Sequence, residues 1–176
     1  HETDIVLGYG GYEVRKGFLN KLIRTDTLLI AMQYFSYAKA GIPYMGVGRN
    51  LSYKKSLFIK NDGYKGHYDV ISGDDDLFIQ TVANKKNISL SISSESSTVS
   101  IPENSLRDWI SQKRRHFTAG IRYRFFIKFL LFVEPFSKLI FYLSLVLAAV
   151  IASKLILPLI LYMLRMIILY LIISMF

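Results

Sequence analysis

The feature that most constrains the fold of this 176-residue chain is its C-terminal segment 125–176, which contains only four Lys/Arg and one Glu. A bilayer core about 30 Å thick is crossed by a helix of roughly 20 apolar residues. The segment therefore predicts two membrane-spanning helices, at about 136–153 and 155–176, joined by a turn near Ser153 and Lys154. A buried helical hairpin in a soluble protein is the alternative. We disfavour it because the apolar run is too long and too uniform for so small a chain.

Positive charge is concentrated immediately before this apolar segment. Residues 107–124 hold six Lys/Arg against one acid, whereas residues 1–106 are nearly balanced, with 12 Lys/Arg and 11 Asp/Glu. Because positive residues beside a span stay on the cytoplasmic side, we expect residues 1–124 to be cytoplasmic. The nearly neutral polar region lacks the broad basic surface of a nucleic-acid-binding protein. The chain has no Cys, which excludes a disulfide framework and any thiolate metal site.

The polar region 1–124 alternates strand-like and helix-like segments, which predicts the α/β class. A charged residue in the second predicted span, Arg165, is costly in a bilayer, so we expect it to face protein, to reach the interface with its long side chain, or to mark a helix that lies shallow in the membrane. In chain order, the polar region predicts a strand at 4–9, a glycine turn at 10–11, a helix at 18–39, a short helix at 54–60, a helix at 75–86, a strand or hairpin at 88–101 and a capped helix that begins at Ser105.

Three consecutive acids, Asp74, Asp75 and Asp76, form the sharpest chemical feature, and we call them the acidic triplet. Adjacent carboxylates repel one another, so at least one of them needs a raised pKa or a cationic partner. Such a group suits a general base or a metal ligand. The alternative is a stabilising helix N-terminus on a solvated surface, with no catalytic role.

A basic run, Gln112-Lys113-Arg114-Arg115-His116, lies on the predicted helix before the apolar segment. Helical spacing places Gln112 on one face with Arg115 and His116. Arginine binds phosphate oxygens with two parallel hydrogen bonds, so this face suits a phosphate or diphosphate. The alternative is a polybasic stripe that binds anionic lipid headgroups.

A glycine-containing segment, Gly46-Val47-Gly48-Arg49-Asn50, is the third feature, and we call it the glycine loop. Glycine allows a backbone to approach a ligand closely. The loop lacks the third glycine and the following helix of a dinucleotide-binding motif. It therefore indicates either a ligand-binding loop or a structural turn.

The order and spacing of these features resemble the C-terminal half of a bacterial, membrane-bound family-2 glycosyltransferase. The resemblance implies a partial GT-A domain, an incomplete Rossmann-like half, over 1–124, followed by a transmembrane hairpin over 125–176. It implies an inverting transferase that moves a sugar from a nucleotide-sugar donor to a cell-envelope glycan or lipid-linked acceptor. It also implies a multi-pass protein of the bacterial inner membrane.

The site residues follow from the same resemblance. Ser72-Gly73-Asp74-Asp75-Asp76-Leu77 is similar to the family's TED-type motif, with Gly73 in place of Glu and with Asp74 as the catalytic base, or Asp75 if the alignment shifts by one. Gln112 and Arg115 match a QxxRW motif in which His116 replaces Trp. The resemblance implies donor-diphosphate or acceptor binding by Gln112, Arg114, Arg115 and His116, and an acceptor loop formed by Gly46, Gly48, Arg49 and Asn50.

The family's nucleotide-binding half has no counterpart in this sequence. That half carries a DxD motif for a divalent cation, Mg or Mn, so the resemblance implies a cation whose ligands lie outside this chain. We therefore expect the chain to be a fragment without turnover alone. Two other functions stay open: a non-enzymatic membrane protein that binds anionic lipid or a partner through its basic run, and, ranked last, a metal-dependent phosphohydrolase.

Overall fold

The computed structural model describes residues 3–70, 72–151 and 156–174. The chain divides into two compact units, His1–Arg124 and Phe125–Phe176. The first unit is mixed α/β, as the alternation of segments predicts, and the described part of the second is helical.

A three-stranded sheet forms the centre of the first unit. Strand β1, Ile5–Gly8, lies between β3, Leu51–Tyr53, and β4, Ile88–Ser91. It pairs antiparallel with β3 and parallel with β4. Ile5 and Leu7 point to the same face because side chains alternate along a strand, and both are buried in the core.

A second, two-stranded sheet corrects two sequence predictions. The predicted glycine turn at 10–11 is wrong, because Gly10–Tyr12 forms strand β2, which pairs in parallel with β5, Thr98–Ser100. The sequence predicts a strand or a hairpin at 88–101; strands are present there, but the hairpin is wrong, since β4 and β5 pair with different strands and not with each other. Local signals missed both because the backbone partners of β2 lie far along the chain.

The helices of the first unit follow the sequence patterns with shifted ends. Helix α1, Phe18–Lys39, confirms the predicted bounds, and α2 spans Lys55–Lys60. Helix α3, Asp74–Val82, ends earlier than predicted. Asn87 explains the early end, because its side-chain Nδ2 donates to the Val82 carbonyl at 3.0 Å and its Oδ1 accepts from the Asn84 N–H at 2.8 Å.

Helix α4, Leu106–Gly120, begins at the predicted cap. The Ser105 hydroxyl oxygen accepts a hydrogen bond from the Asp108 N–H at 3.1 Å and donates to the Asp108 carboxylate at 2.6 Å. This arrangement satisfies a backbone N–H at the helix start that has no partner within the helix. The capping prediction is therefore confirmed.

The second unit contains α5, Phe125–Ile151, and α6, Ile156–Ser174. Helix α5 starts before the predicted residue 136, because the apolar run from Phe125 is already helical. The helix continues through Pro135, which has no backbone N–H to donate. In the described residues, α5 is the one helix long and apolar enough to cross a membrane. The apolar part of α6, Ile156–Leu171, is shorter. The predicted turn at 153–154 lies outside the described residues, as does the predicted end at 175–176.

Arg165 of α6 is in contact with aromatic rings of α5. Its Cζ atom lies 4.4 Å from the ring centroid of Phe141 and 5.1 Å from that of Tyr142. A guanidinium over an aromatic face is attracted by the ring quadrupole. Arg165 thus faces protein, one of the three placements that its cost in a bilayer predicts.

Candidate functional site

The glycine loop and the acidic triplet meet directly in the first unit. The Gly48 N–H donates to Oδ2 of Asp75 at 2.6 Å. A Cβ at Gly48 would lie 2.9 Å from the same oxygen, so any other residue there would displace the Asp75 carboxylate. Residues 27 positions apart in the sequence therefore form one site.

The start of α3 orients the acidic triplet. Gly73 precedes the helix with φ +87°, a left-handed conformation that glycine adopts without strain. The Asp76 N–H donates to Oδ1 of Asp75 at 3.0 Å, so both oxygens of the Asp75 carboxylate accept from backbone N–H groups. Asp74 and Asp75 are half-buried, whereas Asp76 is 6% exposed.

Burial sets the proton affinity of two of these carboxyls. Burial raises the pKa of Asp75, the Gly48 and Asp76 N–H groups lower it, and the Asp74 charge raises it further. Burial, together with the Asp75 charge, raises the pKa of Asp76 to about 8. The Tyr123 hydroxyl donates to Oδ2 of Asp76 at 2.5 Å. Burial and the Asp76 charge raise the pKa of Tyr123, so its hydroxyl remains a donor.

Helix α4 adds a third segment through one of its faces. Trp109, Gln112, His116 and Ala119 recur at helical spacing, and we call them the inner face. Their environments agree with this grouping in part: Ala119 is fully buried, Trp109 and Gln112 are half-buried, and His116 is exposed. A Cβ at Gly73 would overlap the Ala119 side chain, so α3 and α4 touch at the end of the acidic triplet.

His116 lies within electrostatic range of Asp75. Partial shielding of its ring from water lowers the pKa of the His116 imidazole, and the Asp75 carboxylate raises it. The reciprocal attraction lowers the pKa of Asp75. His116, one of the residues predicted to bind the donor diphosphate, therefore lies close to the acidic triplet.

Tyr12 of β2 connects the glycine loop to α4, and the sequence analysis did not identify it. Its hydroxyl lies 3.3 Å from Nε2 and 3.5 Å from Oε1 of Gln112. The Arg49 guanidinium carbon lies 4.3 Å from the centroid of the Tyr12 ring, and Nη1 of Arg49 donates to the Gly11 carbonyl at 2.9 Å. Tyr12 was missed because residues 10–11 were predicted as a turn, and a tyrosine after a turn gives no reason to expect such contacts.

Asn50 and Gly46 hold the glycine loop in place. Nδ2 of Asn50 donates to the carbonyls of Tyr9, at 2.9 Å, and Ser96, at 2.7 Å. Gly46 is buried, and a Cβ there would lie 2.9 Å from a Leu7 methyl group. All four residues of the predicted acceptor loop thus have contacts within the protein, and two of them, Gly48 and Arg49, are also exposed.

Arg114 and Arg115 are exposed on α4. The Arg115 charge lowers the pKa of the neighbouring His116. Helical spacing separates Arg114 from the inner face and groups it with Leu106, Ile110 and Phe117, which we call the outer face. A role of Arg115 in diphosphate binding stays a prediction, and the position of Arg114 does not favour one.

The described residues bring together no group of three or more His, Asp or Glu side chains that could hold a metal ion. The acidic triplet itself fits a cation poorly, since both oxygens of Asp75 and one oxygen of Asp76 accept hydrogen bonds from protein donors. The divalent cation implied by the resemblance stays a prediction about residues outside this chain.

No family model, curated protein or solved structure matches this chain. The chemistry of the site therefore has to be argued from its residues. A half-buried carboxylate with a raised pKa, an imidazole near it and an oriented guanidinium can accept a proton and stabilise an anion.

Proposed function

We propose that this chain is the acceptor side of a membrane-bound, inverting glycosyltransferase with a GT-A catalytic domain. The observation that carries the proposal is the hydrogen bond between the Gly48 N–H and Asp75, which joins the glycine loop to the acidic triplet beside His116. The three segments that resemble the family's motifs are far apart in the sequence, and their proximity in the fold supports the proposal.

Asp75 is the better candidate for the catalytic base. In the reaction, an acceptor hydroxyl oxygen attacks the anomeric carbon of the donor sugar, the bond from that carbon to the diphosphate oxygen breaks, and the base takes the hydroxyl proton. A carboxylate with a raised pKa is the stronger base for this step. Burial supplies that shift for Asp75, and two backbone N–H groups fix its orientation. Asp74, the first choice from the motif, stays the second candidate.

Cationic groups near the base suit the leaving group. The departing nucleoside diphosphate gains negative charge, which cationic side chains stabilise. Arg49, Lys113 and Arg115 all lie within electrostatic range of His116. The proposed reaction also requires a nucleotide-sugar donor and an acceptor that is a glycan or is lipid-linked. The divalent cation would be bound by residues outside this chain.

The test is sugar transfer by the full-length protein in membranes supplied with a panel of nucleotide sugars. Asp75→Asn should lower kcat by about 10²- to 10⁴-fold, the usual contribution of a general base. Asp62→Asn is the matched control, because Asp62 is an exposed carboxylate at φ 57°, a conformation that Asn tolerates. Transfer at the wild-type rate by both Asp75→Asn and Asp74→Asn would remove the base assignment.

A second candidate function, binding of anionic lipid, is favoured by the outer face of α4. Leu106, Ile110 and Phe117 are exposed, Phe117 to 74%. Arg107 and Arg114, both exposed, flank this apolar stripe. An amphipathic helix with Arg beside an apolar stripe suits the headgroup region of an anionic membrane. Five residues after its last helical residue, the chain enters the helix long enough to cross a bilayer.

This second function has its own test, because the chain has no Cys and accepts one label. A polarity-sensitive fluorophore on Phe117→Cys should report an apolar environment in anionic lipid nanodiscs, less so in neutral ones, and added salt should reduce the effect. The control is the same label on Lys65→Cys, an exposed site that is not part of α4. Equal spectra at the two sites in anionic nanodiscs would exclude lipid contact by the outer face.

A further inference from the structure

Arg49 is a cation of the site whose orientation is fixed by protein contacts. Its Nη1 donates to the Gly11 carbonyl at 2.9 Å, and its guanidinium lies 4.3 Å above the Tyr12 ring. Gly10 makes this placement feasible, since a Cβ there would lie 3.4 Å from Cβ of Arg49 and 3.2 Å from a Val47 methyl group. The glycine loop therefore packs directly on β2.

The rest of the Arg49 guanidinium faces solvent. The side chain is exposed, and among the described residues the acceptor that engages it is the Gly11 carbonyl. A guanidinium carries five N–H donors in a planar fork, so several remain for a ligand. Because Tyr12 and Gly11 already fix its orientation, little side-chain entropy is lost when a ligand binds.

The surroundings of Arg49 are cationic and polar. Its charge lowers the pKa of His116, together with the charges of Lys113 and Arg115. Gln112 lies at hydrogen-bond distance from the Tyr12 hydroxyl. An oriented guanidinium with an amide and further cations nearby has the donors that a phosphate group needs.

We propose that Arg49 binds a phosphate group of the substrate and that Tyr12 is the positioning residue that holds it for this task. The identity of the ligand rests on the proposed glycosyltransferase function. Two sources share this chemistry: the diphosphate of a nucleotide-sugar donor and the phosphate of a lipid-linked acceptor. The proposal gives Arg49 a role in anion binding, in addition to its predicted place beneath the acceptor sugar.

The test is direct binding by the full chain in mild detergent. Calorimetry measures the affinity for three ligands: inorganic pyrophosphate, uridine diphosphate and a short polyprenyl phosphate. Arg49→Gln should weaken pyrophosphate binding roughly tenfold or more, the usual effect of losing a charge-assisted hydrogen-bonding group. Arg15→Gln is the matched control, because Arg15 is an exposed arginine that pairs with Glu13. It should bind as the wild type does.

Tyr12 variants separate positioning from simple loss of structure. Tyr12→Leu removes the ring beneath Arg49 and should weaken binding several-fold, whereas Tyr12→Phe keeps the ring and should restore most of it. Circular dichroism checks that each variant is folded. If Tyr12→Phe bound as weakly as Tyr12→Leu, the ring would not be what positions Arg49 and the role assigned to Tyr12 would be wrong.

The phosphate site and the glycosyltransferase function can fail separately. Tighter binding of uridine diphosphate assigns the site to the donor, and tighter binding of polyprenyl phosphate assigns it to the acceptor. Either result supports the phosphate site if the binding depends on Arg49. Pyrophosphate binding that is unchanged in Arg49→Gln, or absent from the wild type, would overturn the inference even if sugar is transferred. Arg49-dependent binding in a protein that transfers no sugar would keep the phosphate site and remove the proposed function.

Discussion

Asp76 shows how one buried residue conditions the site around it. Its carboxyl is 6% exposed, accepts a hydrogen bond from Tyr123 and lies next to Asp75 in the sequence. A carboxyl with a pKa near 8 is protonated at neutral pH, which removes one negative charge from the acidic triplet. Asp75 can then ionise beside a neutral neighbour.

This shift predicts a pH dependence of stability. The folded pKa of Asp76 is about 8, far above that of an unfolded Asp, so the folded state binds the proton more tightly. The stabilising effect is complete below the unfolded pKa and is lost as pH rises towards 8. The urea midpoint of the chain in mild detergent should therefore fall between about pH 4 and 8.

Asp76→Asn is the matched variant, since it keeps the shape and removes the titration. It should flatten the pH dependence of the urea midpoint over the same range. An Asp76→Asn variant with the wild-type slope would show that Asp76 is not the group that titrates.

Helix α4 separates two kinds of chemistry at the scale of a single element. Its inner face brings Gln112 and His116 towards the glycine loop and the acidic triplet, and its outer face exposes apolar residues and Arg114. The position of α4 depends on a close contact with α3, where Gly73 meets Ala119. Packing of these two helices thus controls the distance between His116 and Asp75.

Gly73→Ala should therefore destabilise the chain. The left-handed conformation costs an L-residue about 1–2 kcal/mol, and overlap with Ala119 adds to that loss. The double variant with Ala119→Gly should recover the part due to overlap and not the part due to φ. Urea unfolding measures both.

Gly120→Ala is the control for this pair. Nothing lies within 4 Å of a Cβ at Gly120, which is a helical residue of α4. Alanine should be neutral there or stabilise by about 0.5–1 kcal/mol. A Gly73→Ala variant as stable as Gly120→Ala would refute the α3–α4 contact.

At the scale of the whole molecule, the chain combines a site built from distant segments of the first unit with a second unit whose sequence suits a membrane. The sheets pair β1 with β4 and β2 with β5 across more than 80 residues, and these pairings bring Tyr12, the glycine loop and α4 together. The second unit supplies α5, long and apolar enough to cross a bilayer. Acceptors that are lipid-linked or exported suit such a combination.

The sequence alone determined the features that depend on near neighbours. The apolar helices α5 and α6, the helix at 18–39 and the Ser105 cap follow from local hydropathy and hydrogen bonding. The motif residues Asp75, Gln112 and His116 were also predictable as types suited to proton and anion chemistry. Local patterns suffice for these because their causes lie within a few residues.

Tertiary structure alone decided which of these residues meet. It turned Gly10 and Gly11 from a predicted turn into a strand, because their partners at Thr98 and Val99 lie far along the chain. It placed Tyr12 under Arg49 and fixed Asp75 against Gly48, contacts that no local pattern encodes. Burial raises the pKa of Asp75 and Asp76, and it exists only once the chain has folded. The proton affinities of the acidic triplet therefore could not be predicted from the sequence.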